Sequence, residues 1–84
     1  MWNRRTVLEW NGKLYLIDTA EVPAGMGGEY ETMIFAAKKD GSIKSPNELY
    51  VRRYDSERSA EVGHEQTVRD AERILADKMG VICH

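Results

Sequence analysis

Cysteine and proline are scarce in this chain: one Cys and two Pro stand among its 84 residues. The lone cysteine, Cys83, excludes an internal disulfide and fits a reducing compartment, so a cytoplasmic setting is expected. No apolar run approaches the length of a spanning helix, which argues against a membrane protein. The first residues lack the positive-apolar-small pattern of a signal peptide. Charge of one sign is not in excess either. Twelve basic and fourteen acidic residues leave a formal net charge of −2, which argues against a nucleic-acid binder and against a polyanion mimic. No activated serine and no paired acids stand out, so no catalytic residue is assigned and an enzyme is not expected. A second histidine is missing from the place where a His-Glu-x-x-His zinc helix needs one, because Val68 stands there. Cys83 and His84 would need metal ligands from elsewhere. No metal and no cofactor are therefore expected.

An apolar share of 42% and a charged share of 31% describe an ordinary globular composition. A chain of this length forms one domain, residues 1–84, and buries only about 60% of its unfolded surface. With no disulfide or metal, oligomerisation is a natural source of added stability.

The strongest local pattern is TVLEWNGKLYLIDT. Asn11-Gly12 suits a two-residue type I′ hairpin, because both turn positions need positive φ. Thr6–Trp10 and Lys13–Thr19 are then paired strands, with Trp10 facing Lys13, Leu8 facing Tyr15 and Thr6 facing Ile17. Pro23, Gly25, Gly27 and Gly28 mark a loop, with Met26 at its tip. A phosphate-binding loop needs a helix after it, and here a strand follows. That third strand is YETMIFAAK from Tyr30. A turn at Asp40-Gly41 leads to a fourth strand with its core at Glu48–Tyr54, and Pro46 is allowed only at an edge, bulge or strand start.

From Ser56 the apolar period changes to about 3.6. Ala60, His64, Thr67, Val68, Ala71, Ile74, Leu75 and Met79 share one stripe. Asp55 and Ser56 are N-cap residues, Glu57 and Lys78 suit the two ends of the helix dipole, and Gly80 is a natural stop. The helix covers about 56–79, followed by a short tail, 80–84. The fold class is α+β: a four-stranded antiparallel sheet in ββββα order, packed by one long C-terminal helix.

Two mismatches and one strand face point toward function. A helix of about 35 Å exceeds strands of about 20 Å, so its last third is expected to overhang the sheet. The first hairpin is apolar on both faces, with Leu8, Trp10, Tyr15 and Ile17 on one and Val7, Leu14 and Leu16 on the other. One helix covers one face. The other needs a homodimer or partner, or else a cover made of Met1–Arg5 and the glycine loop. Finally, Tyr50, Arg52 and Tyr54 share one face of YVRRY. Aromatics with arginine suit a protein interface, or stacking on single-stranded nucleic acid. The expected partner-binding residues are Trp10, Tyr15, Tyr50, Arg52 and Tyr54.

Within GHE, Gly63 lowers helix propensity by about 1 kcal/mol, which is reasonable where a strand or ring must come close. Glu65 points about 100° away from His64 on a helix. His64 is expected to be structural, with one ring nitrogen bonded to a backbone carbonyl or a tyrosine. Glu57, Glu61 and Glu65 form an acidic stripe balanced by nearby arginines, with Glu65–Arg69 and Arg73–Asp77 as expected pairs.

Tyr30, Glu31, Thr32, Met33, Ile34 and Phe35, followed by Arg53, Tyr54, Ser56, Ala60, Gly63, His64 and Glu65, carry a resemblance. This part of the chain resembles a group of small phage and prophage proteins of uncharacterised function, with a YETMxF strand and an RYxS…AxxGHE helix start. The sequence departs at Ser59, where a capping-box glutamate is usual. The resemblance implies no cofactor and no catalytic residue. It implies a small cytoplasmic protein that binds and inhibits a host protein, for example a CRISPR effector, as a monomer or a homodimer. A homo-oligomeric phage structural protein and a weak nucleic-acid-binding module are the alternatives.

Overall fold

A computed structural model describes residues 2–22 and 29–78. The order is β1 (Asn3–Trp10), β2 (Lys13–Glu21), β3 (Tyr30–Ala37), β4 (Tyr50–Tyr54) and α1 (Glu57–Lys78). All neighbouring strands are antiparallel, in the spatial order β1-β2-β3-β4. This is the expected α+β architecture. The glycine loop with Met26, and Met79 through His84, lie outside the described residues.

The hairpin turn follows from its sequence. Asn11 and Gly12 have φ of 53° and 78°, the positive pair of a type I′ turn. The register sets Trp10 opposite Lys13, Leu8 opposite Tyr15 and Thr6 opposite Ile17, as the alternation predicts. β1 starts earlier than its apolar pattern suggests. Asn3 and Arg4 are held extended by side chains far along the chain: Asn3 Nδ2 donates to Asp18 at 3.0 Å, and Arg4 reaches Glu65 at 3.1 Å.

Alternation sends Leu8, Trp10, Tyr15, Ile17 and Ile34 to the helix side. Tyr15, Ile17, Ile34, Ala71 and Leu75 form the central core, with Leu8, Trp10, Leu49, Tyr50, Val68 and Ile74 packed around it. Ser56 caps α1: its Oγ accepts from the Ser59 N–H at 3.1 Å and donates to Ser59 Oγ at 2.9 Å. Ser59 thus supplies a hydroxyl where a capping box would place a carboxylate.

The expected overhang is absent among the described residues. Leu75 and Ala76 are buried, and Ile74 packs on the core. The reason is strand length: eight, nine and eight residues in β1, β2 and β3 extend the sheet to about 30 Å, close to the helix. Of the covers expected for the second face, Asn3, Arg4 and Arg5 belong to β1, and Met1 and the glycine loop lie outside the described residues. Among the described residues, cover comes from the turn after β3, where Lys38 N–H donates to Ser42 O at 2.8 Å and Ile43 bridges Ala37. That turn reaches across the back of the sheet, bringing Gly41 against Val7; a Cβ there would stand 3.6 Å from Val7 Cγ2. Leu16 and Phe35 are consequently buried on the face away from the helix.

Gly63 is required by contact. A Cβ on it would fall into Cζ, Oη and Cε1 of Tyr54. Alanine gains about 1 kcal/mol of helix propensity but must displace a ring that half-buries against the helix. Gly63→Ala is expected to lower stability by about 1–3 kcal/mol in urea titrations. In a Tyr54→Ala background the same change should become neutral or stabilising; an equal loss in both backgrounds would remove Tyr54 as the cause.

Candidate functional site

Gly63 brings α1 close enough for the next residue to enter the sheet. His64 is 2% exposed, yet both ring nitrogens are bonded. Nδ1 lies 2.7 Å from Thr19 Oγ1, and Nε2 lies 2.8 Å from Thr6 Oγ1. Thr19 Oγ1 is in turn 2.6 Å from Thr32 Oγ1, across the β2–β3 register. Thr32, Thr19, His64 and Thr6 therefore form one hydrogen-bonded chain from the buried sheet centre to the β1 edge. Thr67 Oγ1 donates to Gly63 O at 2.8 Å and closes the helix side. No buried side-chain polar atom among the described residues lacks a partner.

This arrangement corrects the expected anchor: threonine hydroxyls, not a backbone carbonyl or a tyrosine, hold the imidazole. A neutral imidazole matches the chain in either direction, with one nitrogen donating and the other accepting. Burial holds the His64 pKa below its ordinary value, and the nearby Arg4 cation adds to the effect; Glu65 and Asp18 oppose it. Neither carboxylate is hydrogen-bonded to the ring. With both nitrogens engaged, the geometry offers no free base and no orienting acid for proton transfer.

The acidic stripe of α1 is tied to the sheet. Arg4 spans Glu61 at 3.4 Å and Glu65 at 3.1 Å. Glu65 thus pairs with a strand arginine and not with Arg69. Arg73 pairs with Asp70 at 3.2 Å and not with Asp77. The cross-element pair wins because Arg4 shares the strand face that carries Thr6 to His64.

The five residues expected to bind a partner all lie toward the helix. Tyr15 is 3% exposed and belongs to the core. Trp10 is half-buried, its ring 6.3 Å from that of Tyr15, and Tyr50 packs on the same core. Tyr54 is fixed against Gly63, and the Arg52 guanidinium lies 5.7 Å from its ring centre. Of the five, only Arg52 is exposed. The structure joins Trp10 with Tyr15, and Arg52 with Tyr54, but does not gather all five into one patch.

Three of the four exposed large apolar residues among the described ones lie on the other face: Val7 and Val51 are 46% and 45% exposed, and Ile43 is 37% exposed. The fourth, Val62, stands on α1. Half-buried Met33 sits opposite Val51. Two ion pairs lie on this face: Arg5–Asp18 at 3.5 Å and Arg53–Glu31 at 3.0 Å. A separate cleft of about 730 Å³ opens at the hairpin end and includes Lys13, Lys38, Lys39 and Lys44 in its lining. Sequence reasoning missed the lysine cluster, whose members meet only after the β3 turn folds back. Val7 was legible through strand parity.

No group of three or more metal-ligating side chains occurs among the described residues. No described helix is long and apolar enough to cross a membrane. In comparisons with protein families, curated proteins and solved structures, nothing matches this chain.

The depressed His64 pKa gives stability a sign. In the unfolded chain His64 takes a proton near 6.5; in the fold it resists. The unfolded state therefore binds more protons below that point, so stability is full above about pH 6.5 and is lost as pH falls toward the folded value. His64→Gln should remove this component of the acid loss, measured by urea midpoints above and below that pH. An unchanged pH dependence would show that the fold does not depress His64.

Proposed function

We propose that this chain is a non-catalytic binding protein of phage type, which acts by occupying a surface of a host protein. The supporting observation is the set of exposed apolar residues Val7, Ile43 and Val51, with half-buried Met33 opposite Val51, on the sheet face away from α1. An apolar centre with a charged border is the usual composition of a protein interface. The fold puts its polar residues to structural use: His64 and three threonines hold the seam, and Arg4 clamps the helix. What remains outward is a contact surface.

The resemblance to small phage and prophage proteins gives the host reading its direction. A bacterial defence protein such as a CRISPR effector is the concrete target class, and inhibition is the effect. In this reading Arg52 contributes at the β4 edge, while Trp10, Tyr15, Tyr50 and Tyr54 shape the scaffold behind it.

Affinity purification from a bacterial host, with mass spectrometry, tests the reading. A stoichiometric protein partner is expected. Val51→Asp and Ile43→Asp should abolish its capture while changing stability by no more than about 0.5 kcal/mol, as for ordinary surface substitutions. Capture that survives both changes, or recovery of nucleic acid in place of protein, would contradict it.

A further inference from the structure

We propose that β1 is a self-complementary edge, and that a second copy of this chain adds to it antiparallel about a twofold axis at Val7. β1 is an outer strand of eight residues with unbroken pairing to β2 from Asn3–Ala20 to Trp10–Lys13. Of the usual protections of an edge it holds no proline, no bulge and no lysine, and its two charges on the open face, Arg5 and Glu9, are of opposite sign.

The turn fixes which backbone groups are free. In a two-residue type I′ hairpin the flanking residues, Trp10 and Lys13, form a hydrogen-bonded pair, and such pairs alternate along the ladder. Trp10, Leu8, Thr6 and Arg4 therefore bond inward to β2. Arg5, Val7 and Glu9 turn their N–H and C=O outward, and among the described residues no turn, loop or cap bond reaches them.

The same three residues carry the complementarity. All three are exposed, and all three point to the open face. Antiparallel pairing centred on Val7 sets Val7 against Val7, and Arg5 against Glu9 of the second copy, twice by symmetry. The other in-phase registers are worse. Centring on Arg5 opposes two arginines, and centring on Glu9 opposes two glutamates. Centring on Thr6 or on Leu8 leaves one of the charges facing valine. Opposite charges across a strand pair stabilise it and like charges destabilise it. Arg5 has its Asp18 contact only through Nε at 3.5 Å, and its side chain is 61% exposed, so its outer nitrogens remain available. Glu9 has no ion-pair partner among the described residues.

The other edge strand lacks this complementarity. β4 reads YVRRY, with no acid to set against its arginines, and twofold pairing at its centre sets Arg52 against Arg52. The pairing at β1 joins two four-stranded sheets into one and leaves both open apolar faces on the same side. It stands apart from the host-target reading, since no host protein is needed to observe it.

Sedimentation equilibrium of the purified chain is the test. The expected species is twice the 9.6 kDa chain mass. Glu9→Arg should weaken dimerisation at least about tenfold, because each change counts twice. Arg5→Glu combined with Glu9→Arg should restore it, since the pairs are then reversed but matched. Val7→Lys should give a monomer whose circular dichroism is that of the folded chain. A wild-type monomer at every accessible concentration would overturn the proposal. So would a dimer insensitive to Glu9→Arg, or open-ended assemblies.

Discussion

Everything in this fold depends on how closely α1 approaches the sheet at Gly63. The absence of one Cβ lets the Tyr54 ring lie against the helix backbone. That approach drives His64 into a site where water cannot satisfy it, and the threonine hydroxyls of β1 and β2 take over. A buried polar group without partners costs about 1–3 kcal/mol, so the network specifies register as well as supplying stability. Thr19 meets His64 only if β2 is in phase with the helix. It meets Thr32 only if β2 and β3 are in phase with each other. A one-residue slip would turn each hydroxyl to the opposite face.

Once the helix is committed, the rest of the surface is determined. One sheet face is filled by the apolar stripe from Ala60 to Ala76. Arg4 locks the first half of the helix to β1 through Glu61 and Glu65. Among the described residues, the opposite face receives the turn after β3, with Leu16 and Phe35 buried and Val7, Ile43 and Val51 exposed. A domain of this size has little core to spare. Apolar residues left outside it are therefore informative about what the molecule contacts.

The parts that were legible in the sequence are those fixed by short-range chemistry. Asn11-Gly12 sets the first hairpin and its register, and the change of period at Ser56 sets the helix. Gly63 signalled a close approach, and an aromatic ring was among the expected causes. What could not be read depends on groups far apart in the chain. Arg4 and Glu65 are 61 residues apart, which is why Glu65 was expected to choose its helical neighbour Arg69. The β2–β3 register is set by no tight turn, so Thr19 and Thr32 gave no sign of meeting. The Tyr and Arg residues of β4 looked like a surface because strand parity groups them, but parity does not say which face the helix takes. It takes theirs, and the open surface is the one carrying Val51.

The central claim is that GHE is a neutral, hydrogen-bonded seam between helix and sheet and not a reactive site. Nitrogen-15 chemical shifts of the His64 imidazole, followed through a pH titration of the folded chain, address it most directly. An imidazole that stays neutral as pH falls below the ordinary histidine value of 6.5 is the predicted result. An imidazole that gains its proton at that ordinary value, with the fold intact, would contradict it.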